Sequence, residues 1–235
     1  PMQLAEVIST TYYDASKANS TIAVIDLANL TPLTDSISAL AQALYDAPDS
    51  FELLESIRQA TLGFAVSESS GETPLRDLRD LVRRISIAAA MPAQVKQAAS
   101  AVMDKLTEVV VFMKNQSADY AEAGGLSIYF PPPNQCMNHL YQTGPAVTWS
   151  FESLWDDFLL SWNSYDCGQW VCNGEWFDAK DGCDCNCGAW DPDCAIPDAL
   201  VHHCGVGQTC QEPGICAGEV IPLCPEWTCS PAFFG

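Results

Sequence analysis

The chain has 235 residues and a formal net charge of −20, from 30 acids against 10 bases. That balance excludes a nucleic-acid binder or a protein held to anionic membranes, since both need basic surfaces. With 48% hydrophobic and 17% charged residues the chain is no acidic disordered tail. Apolar runs are all too short for a membrane span, and the start shows no signal-peptide pattern.

Elements follow in chain order. Residues 2–13 place Leu4, Ala5, Val7, Ile8 and Tyr12 at helical spacing. The run 21–27 (TIAVIDL) is short, apolar and β-branched, which reads as a buried strand. Thr31 and Pro32 resemble an N-cap and a first-turn proline, opening a helix with Leu33, Ile37, Leu40, Ala41 and Leu44 on one face. Leu53, Leu54, Ile57, Ala60, Thr61 and Phe64 form a further stripe. Thr73 and Pro74 repeat the cap device ahead of Leu75, Leu78, Leu81, Val82 and Ile85. Met91 and Pro92 interrupt, because a residue before proline avoids the α region. Val95, Ala98, Ala99, Val102, Leu106, Val109 and Met113 give the next helix. Residues 126–130 (LSIYF) read as a second strand, closed by three prolines. A last helix carries Phe151, Leu154, Trp155, Phe158, Leu159 and Trp162.

Two short apolar strands between helices imply a parallel-type sheet covered on both faces. Two strands are too few to stand alone. The expectation is therefore an α/β domain whose other strands belong to polypeptide outside this sequence.

Several segments carry a resemblance to one family. STIAVIDLANLTPL (20–33), IRQATLGF (57–64), LRDLRDLVRRI (75–85), AGGLSIYFP (123–131) and WSFESLWDDFLLSW (149–162) resemble, in order, segments of the clostripain family of cysteine endopeptidases. The resemblance spans residues 1–162, and GLSIYFP is its most specific piece. It implies a caspase-like sheet-and-helix fold, and cleavage of protein or peptide substrates after basic residues by a His/Cys dyad. In that family the dyad and the acidic specificity residues beside its Cys precede the region that aligns here. The resemblance thus implies a C-terminal, dyad-free portion, at 1–165, partnered by an upstream chain or segment. The alternative is an inactive secreted or surface protein, binding or structural, that reuses the peptidase scaffold.

A dyad within the chain has two candidates. Cys136 and His139 lie three apart in QCMNH, although the plainer reading makes Cys136 a half-cystine. His202 and His203 adjoin Cys204, in a segment so dense in cysteine that a disulfide is the expected state of that sulfur.

Composition changes sharply after the last helix. The first 135 residues hold no cysteine, while eleven of the twelve lie between Cys167 and Cys229. Residues 116–235 carry one base, Lys180, against 16 acids. The region 166–235 is poor in aliphatic residues and rich in turn formers, so disulfides at ~2–4 kcal/mol each are its expected source of stability. Such a module belongs in an oxidising, extracytoplasmic setting, secreted or at the cell surface. CDCNCGAWDPDC resembles repeats appended to secreted and surface proteins of some bacteria. Zinc is the competing use of cysteine, but Cys183, Cys185 and Cys187 lack ribbon spacing, and no CxxCH exists for c-type haem. Calcium is a further candidate: Asp178, Asp181, Asp184, Asp191 and Asp193 crowd the cysteines, and a hard cation binds several such oxygens. No EF-hand spacing is present, and solvated acids are the plain alternative. Glycosylation sequons at Asn19, Asn29 and Asn115 carry little weight.

Overall fold

The computed structural model describes residues 2–16, 21–64, 74–115, 120–133, 135, 137, 149–163, 170–172 and 174–218. The chain divides into two units, residues 1–164 and 165–235.

In the first unit, α1 (Met2–Ser16) leads to β1 (Thr21–Ile25), α2 (Leu30–Tyr45) and α3 (Phe51–Ala60). β2 (Leu75–Asp77), α4 (Leu78–Ile87), α5 (Ala93–Val109), β3 (Val110–Asn115) and β4 (Ser127–Tyr129) follow. The last helical segments are α6 (Trp149–Glu152) and α7 (Trp155–Trp162). This is a mixed α/β unit with small sheets, as the sequence pattern implies.

The core lies where α2, α4, α5 and α7 meet. All five predicted positions of α2 are buried, and Leu81, Val82 and Ile85 of α4 face Val95, Ala99, Val102 and Leu106 of α5 within the same cluster. α7 closes it through an aromatic knot. Phe130 lies 5.5 Å from Trp155, 5.9 Å from Phe158 and 5.2 Å from Trp162, centroid to centroid. The indole N–H of Trp155 donates to the Tyr129 carbonyl at 2.8 Å, and that of Trp162 to the Pro131 carbonyl at 3.0 Å. Both tryptophans thus bury their rings with their one polar group satisfied.

The sheets depart from the expected arrangement. β1 pairs antiparallel with β3, Thr21 opposite Asn115 and Val24 opposite Phe112. β2 pairs antiparallel with β4, Leu75 opposite Tyr129. Residues 62–64 run along the other edge of β2, where Phe64 N–H donates to Leu75 O and Asp77 N–H to Leu62 O. The parallel-type pairing is therefore corrected. β3 also replaces the end of the expected helix: α5 stops at Val109, because Val109, Val110 and Val111 are consecutive β-branched residues that favour extended backbone.

Helix starts are corrected too. α2 begins at Leu30, so Thr31 is inside the helix, and the N-cap side-chain bond is made earlier, from Ala28 N–H to Asp26. α4 begins at Leu78 with Asp77 as its cap, after a strand that occupies Leu75. The closing helix is two helices, separated at Ser153 and Leu154. α1 buries Ala5 and Ser9 and leaves Leu4, Val7 and Ile8 exposed.

The second unit has little regular structure: a parallel pair β5 (Cys183–Asp184) and β6 (Val201–His202), and an antiparallel pair β7 (Thr209–Gln211) and β8 (Ile215–Ala217). Four disulfides hold it among the described residues: Cys172–Cys187, Cys183–Cys194, Cys185–Cys210 and Cys204–Cys216. Gly214, at φ +103°, donates its N–H to Gln211 O, while its own carbonyl accepts from Asn186. A Cβ there would run into the Ala189 carbonyl.

Candidate functional site

In the first unit a groove of about 500 Å³ lies between α2 and β4. Leu30, Leu33, Ile37, Leu126, Ile128 and Trp149 form its apolar lining, with Asp35 and Glu152 supplying carboxylates. The Trp149 indole N–H donates to Thr34 Oγ1 at 3.0 Å, which fixes that ring at the groove. The groove thus combines an apolar lining with two carboxylates.

Beneath β2 and β4 is a polar layer. Asp77, fully buried, accepts the Gly124 N–H at 2.6 Å on Oδ2 and the Asp80 N–H at 2.8 Å on Oδ1. One carboxylate therefore caps α4 and ties down the chain entering β4. Burial pushes the Asp77 carboxyl above the ordinary range, against these two hydrogen bonds. Asp80 goes the other way. Burial alone would raise it, but bonds from Arg84 Nε (2.8 Å), the Leu62 N–H (3.0 Å) and Arg83 Nη2 (2.6 Å) hold it below the ordinary value. Arg58 is also fully buried and grips Glu55 with Nε and Nη2 at 2.6 and 2.8 Å. These groups organise the fold at the strand ends.

The sequence-predicted nucleophiles fall differently. Cys136 and His139 lie outside the described residues. Cys204 is joined to Cys216, so it has no thiol to offer.

Of the five candidate calcium ligands, Asp184, Asp191 and Asp193 are buried, Asp178 is half-buried and Asp181 is exposed. Asp191 accepts N–H groups from Asp178 (3.1 Å), Asp184 (2.8 Å) and Asp193 (3.2 Å). Asp193 Oδ2 accepts the Lys180 N–H at 2.6 Å. The two carboxylates thus stitch loop 178–184 to the turn at 191–195, using backbone donors that sequence reading had no means to pair with them. Asp193 Oδ1 is buried without a hydrogen-bond partner. Burial, with Asp191 and Asp178 nearby, holds Asp193 above the ordinary carboxylate value, against the bonds from Lys180 and Asp181.

Among the described residues, the groups of three candidate metal ligands whose atoms lie within 4.8 Å of one another are Cys172/Cys187/His203, Cys183/Cys194/Cys210 and Cys185/Cys204/Cys216. Every cysteine in them belongs to a disulfide, which removes the thiolates a zinc site needs. The five aspartates form no such group.

No helix among the described residues is long and apolar enough to cross a membrane. No curated protein matches the chain. The sequence profile of the clostripain family does match, over residues 2–162, a span that contains α1 through α7, the groove and the Asp77 layer. The chain belongs to the clostripain family.

Proposed function

We propose that residues 2–162 are the C-terminal part of a secreted cysteine endopeptidase that cleaves after basic residues, its His/Cys dyad being carried by an upstream segment. The family match over this span carries the reading. Two features support it. β1 and β3 make a two-stranded sheet, which gains stability from further strands supplied by a partner segment. The net charge of −20, together with Asp35 and Glu152 at the apolar groove, attracts basic polypeptide, with association that weakens as salt rises. Residues 166–235 act as an appended module whose disulfides suit an oxidising, extracytoplasmic setting. The test is thiol-dependent hydrolysis of Arg- and Lys-containing fluorogenic peptides by the full reading-frame product. Activity lost on substituting its upstream Cys supports the reading, whereas absence of cleavage supports an inactive binding or structural protein on the same scaffold.

Calcium in the module is a second reading, favoured by one observation: the unpaired, buried Asp193 Oδ1 beside Asp191 and Asp178. Those charges repel, and a divalent cation relieves the repulsion. Added Ca²⁺ should raise the melting temperature of the module, with the gain lost in Asp193→Asn; an unchanged melt removes this reading.

A further inference from the structure

β4 ends its small sheet on an open edge. Ile128 is paired with Arg76, and the bonds from Leu78 N–H to Leu126 O and from Phe130 N–H to Pro74 O face the same way. Backbone groups alternate sides along a strand, so those of Ser127 and Tyr129 point away from β2. The Trp155 indole covers the Tyr129 carbonyl at 2.8 Å. Ser127 is exposed, and its N–H and C=O have no hydrogen-bond partner among the described residues.

The 500 Å³ groove lies along that edge. Ser127 and Ile128 project from opposite faces of β4, yet both line the groove, so it follows the strand edge rather than one face. A second cleft of about 310 Å³ shares Leu126 and Ser127 and reaches Ala23 and Ile25 of β1. The two depressions therefore meet at Ser127. Asp35 and Glu152 are exposed at the first, without an ion-pair partner among the described residues, and no described base lines either one.

We propose that this edge docks the protein substrate, an extended segment of alternating apolar and basic residues adding to β4 as a further strand. The proposal rests on the endopeptidase reading given above. Ser127 N–H donates to a carbonyl of the segment, and Ser127 C=O accepts one of its N–H groups. Side chains alternate across an added strand, so one set packs on the apolar lining and the other carries Lys or Arg toward Asp35 and Glu152. Charge complementarity selects this occupant. Covering the two carboxylates costs desolvation, which a charge-assisted bond from Lys or Arg offsets and an acidic or purely apolar segment does not. β4 is only three residues long, so backbone pairing needs the groove walls and the carboxylates to hold the segment.

The experiment measures fluorescence anisotropy of a labelled octapeptide alternating Val and Lys, added to the whole 235-residue chain. Saturable binding is expected. It should weaken about tenfold in the double variant Asp35→Asn/Glu152→Gln, and about tenfold when every backbone nitrogen of the peptide is methylated. The double variant keeps most of the net charge of −20, so binding that it leaves unchanged is unspecific attraction and overturns the proposal. Absence of saturation, or indifference to methylation, overturns it too. Should the double variant fail to fold, the methylated peptide decides. In the full reading-frame product, the double variant should raise KM about tenfold for a protein substrate bearing the alternating segment, with kcat kept; an unchanged KM removes the substrate as occupant. A full product that fails to bind the octapeptide, while the 235-residue chain binds it, has filled the groove with its own upstream segment, and the proposal falls. Octapeptide binding needs no catalysis. A full product that binds without cleaving refutes the endopeptidase reading, whereas one that cleaves without binding refutes the docking groove.

Discussion

Asp77 offers the sharpest test of how the first unit is held together. Its carboxylate is the shared acceptor for two buried N–H groups, Gly124 on the approach to β4 and Asp80 in the first turn of α4. Replacing it with Ala strands both donors. Each buried unsatisfied donor costs about 1–3 kcal/mol, and the cap bond alone is worth about 1 kcal/mol. The expected loss is about 3–5 kcal/mol, against a total of about 5–15 kcal/mol for a domain. Asp77→Asn keeps one acceptor oxygen and should lose about 1–3 kcal/mol. Urea unfolding followed by far-UV circular dichroism reads this unit, since all seven described α-helices lie in it. The pH dependence supplies an independent check. A carboxyl raised in the folded state stabilises fully below its unfolded value of 3.8 and loses that contribution as pH climbs through its folded value. The stability of wild type relative to Asp77→Asn should therefore fall as pH rises from about 4. Equal stabilities for both variants, within about 0.5 kcal/mol of wild type, would refute the reasoning.

Asp80 predicts the opposite slope: its stabilisation is present above 3.8 and lost as pH falls through its depressed value, so Asp80→Asn should flatten the acid limb of a pH–stability curve. Trp155→Phe keeps an aromatic ring in the knot but leaves the Tyr129 carbonyl without its indole donor, a loss of about 1–3 kcal/mol by the same urea assay. Removing Cys183–Cys194 by double Ser substitution should cost the module about 2–4 kcal/mol, seen as protease sensitivity within 170–218 while cleavage of residues 2–162 stays at the wild-type rate. Gly124→Ala places a Cβ against Arg79 Cβ and beside Asp77 Oδ1, and should destabilise more than Asp77→Asn.

Much of the helical core is legible in the sequence, because α2, α4 and α5 each present a stripe of aliphatic residues at three-and-four spacing. β3 is not. Val102, Leu106, Val109 and Met113 continue the helical spacing across the boundary, so periodicity conceals a strand that only the β-branched run at 109–111 marks. Asp77 and Asp191 are hidden for another reason. Their partners are backbone N–H groups, Gly124 in one case and Asp178 and Asp184 in the other, and backbone donors leave no trace in residue identity. His203 sits beside a cysteine in sequence, Cys204, yet its imidazole contacts Cys187, sixteen residues away. The family segments are readable as short strings, and the structure packs Phe130 of GLSIYFP against Trp155 and Trp162 of the last helix.

The most direct test of the proposed function compares the 235-residue chain with the full product of its reading frame on Arg- and Lys-containing fluorogenic peptides. The proposal predicts a full product with an upstream segment, whose thiol-dependent cleavage is absent from the 235-residue chain, abolished by substituting an upstream Cys and unchanged by Cys136→Ser. Cleavage by the 235-residue chain itself that disappears in Cys136→Ser would contradict it.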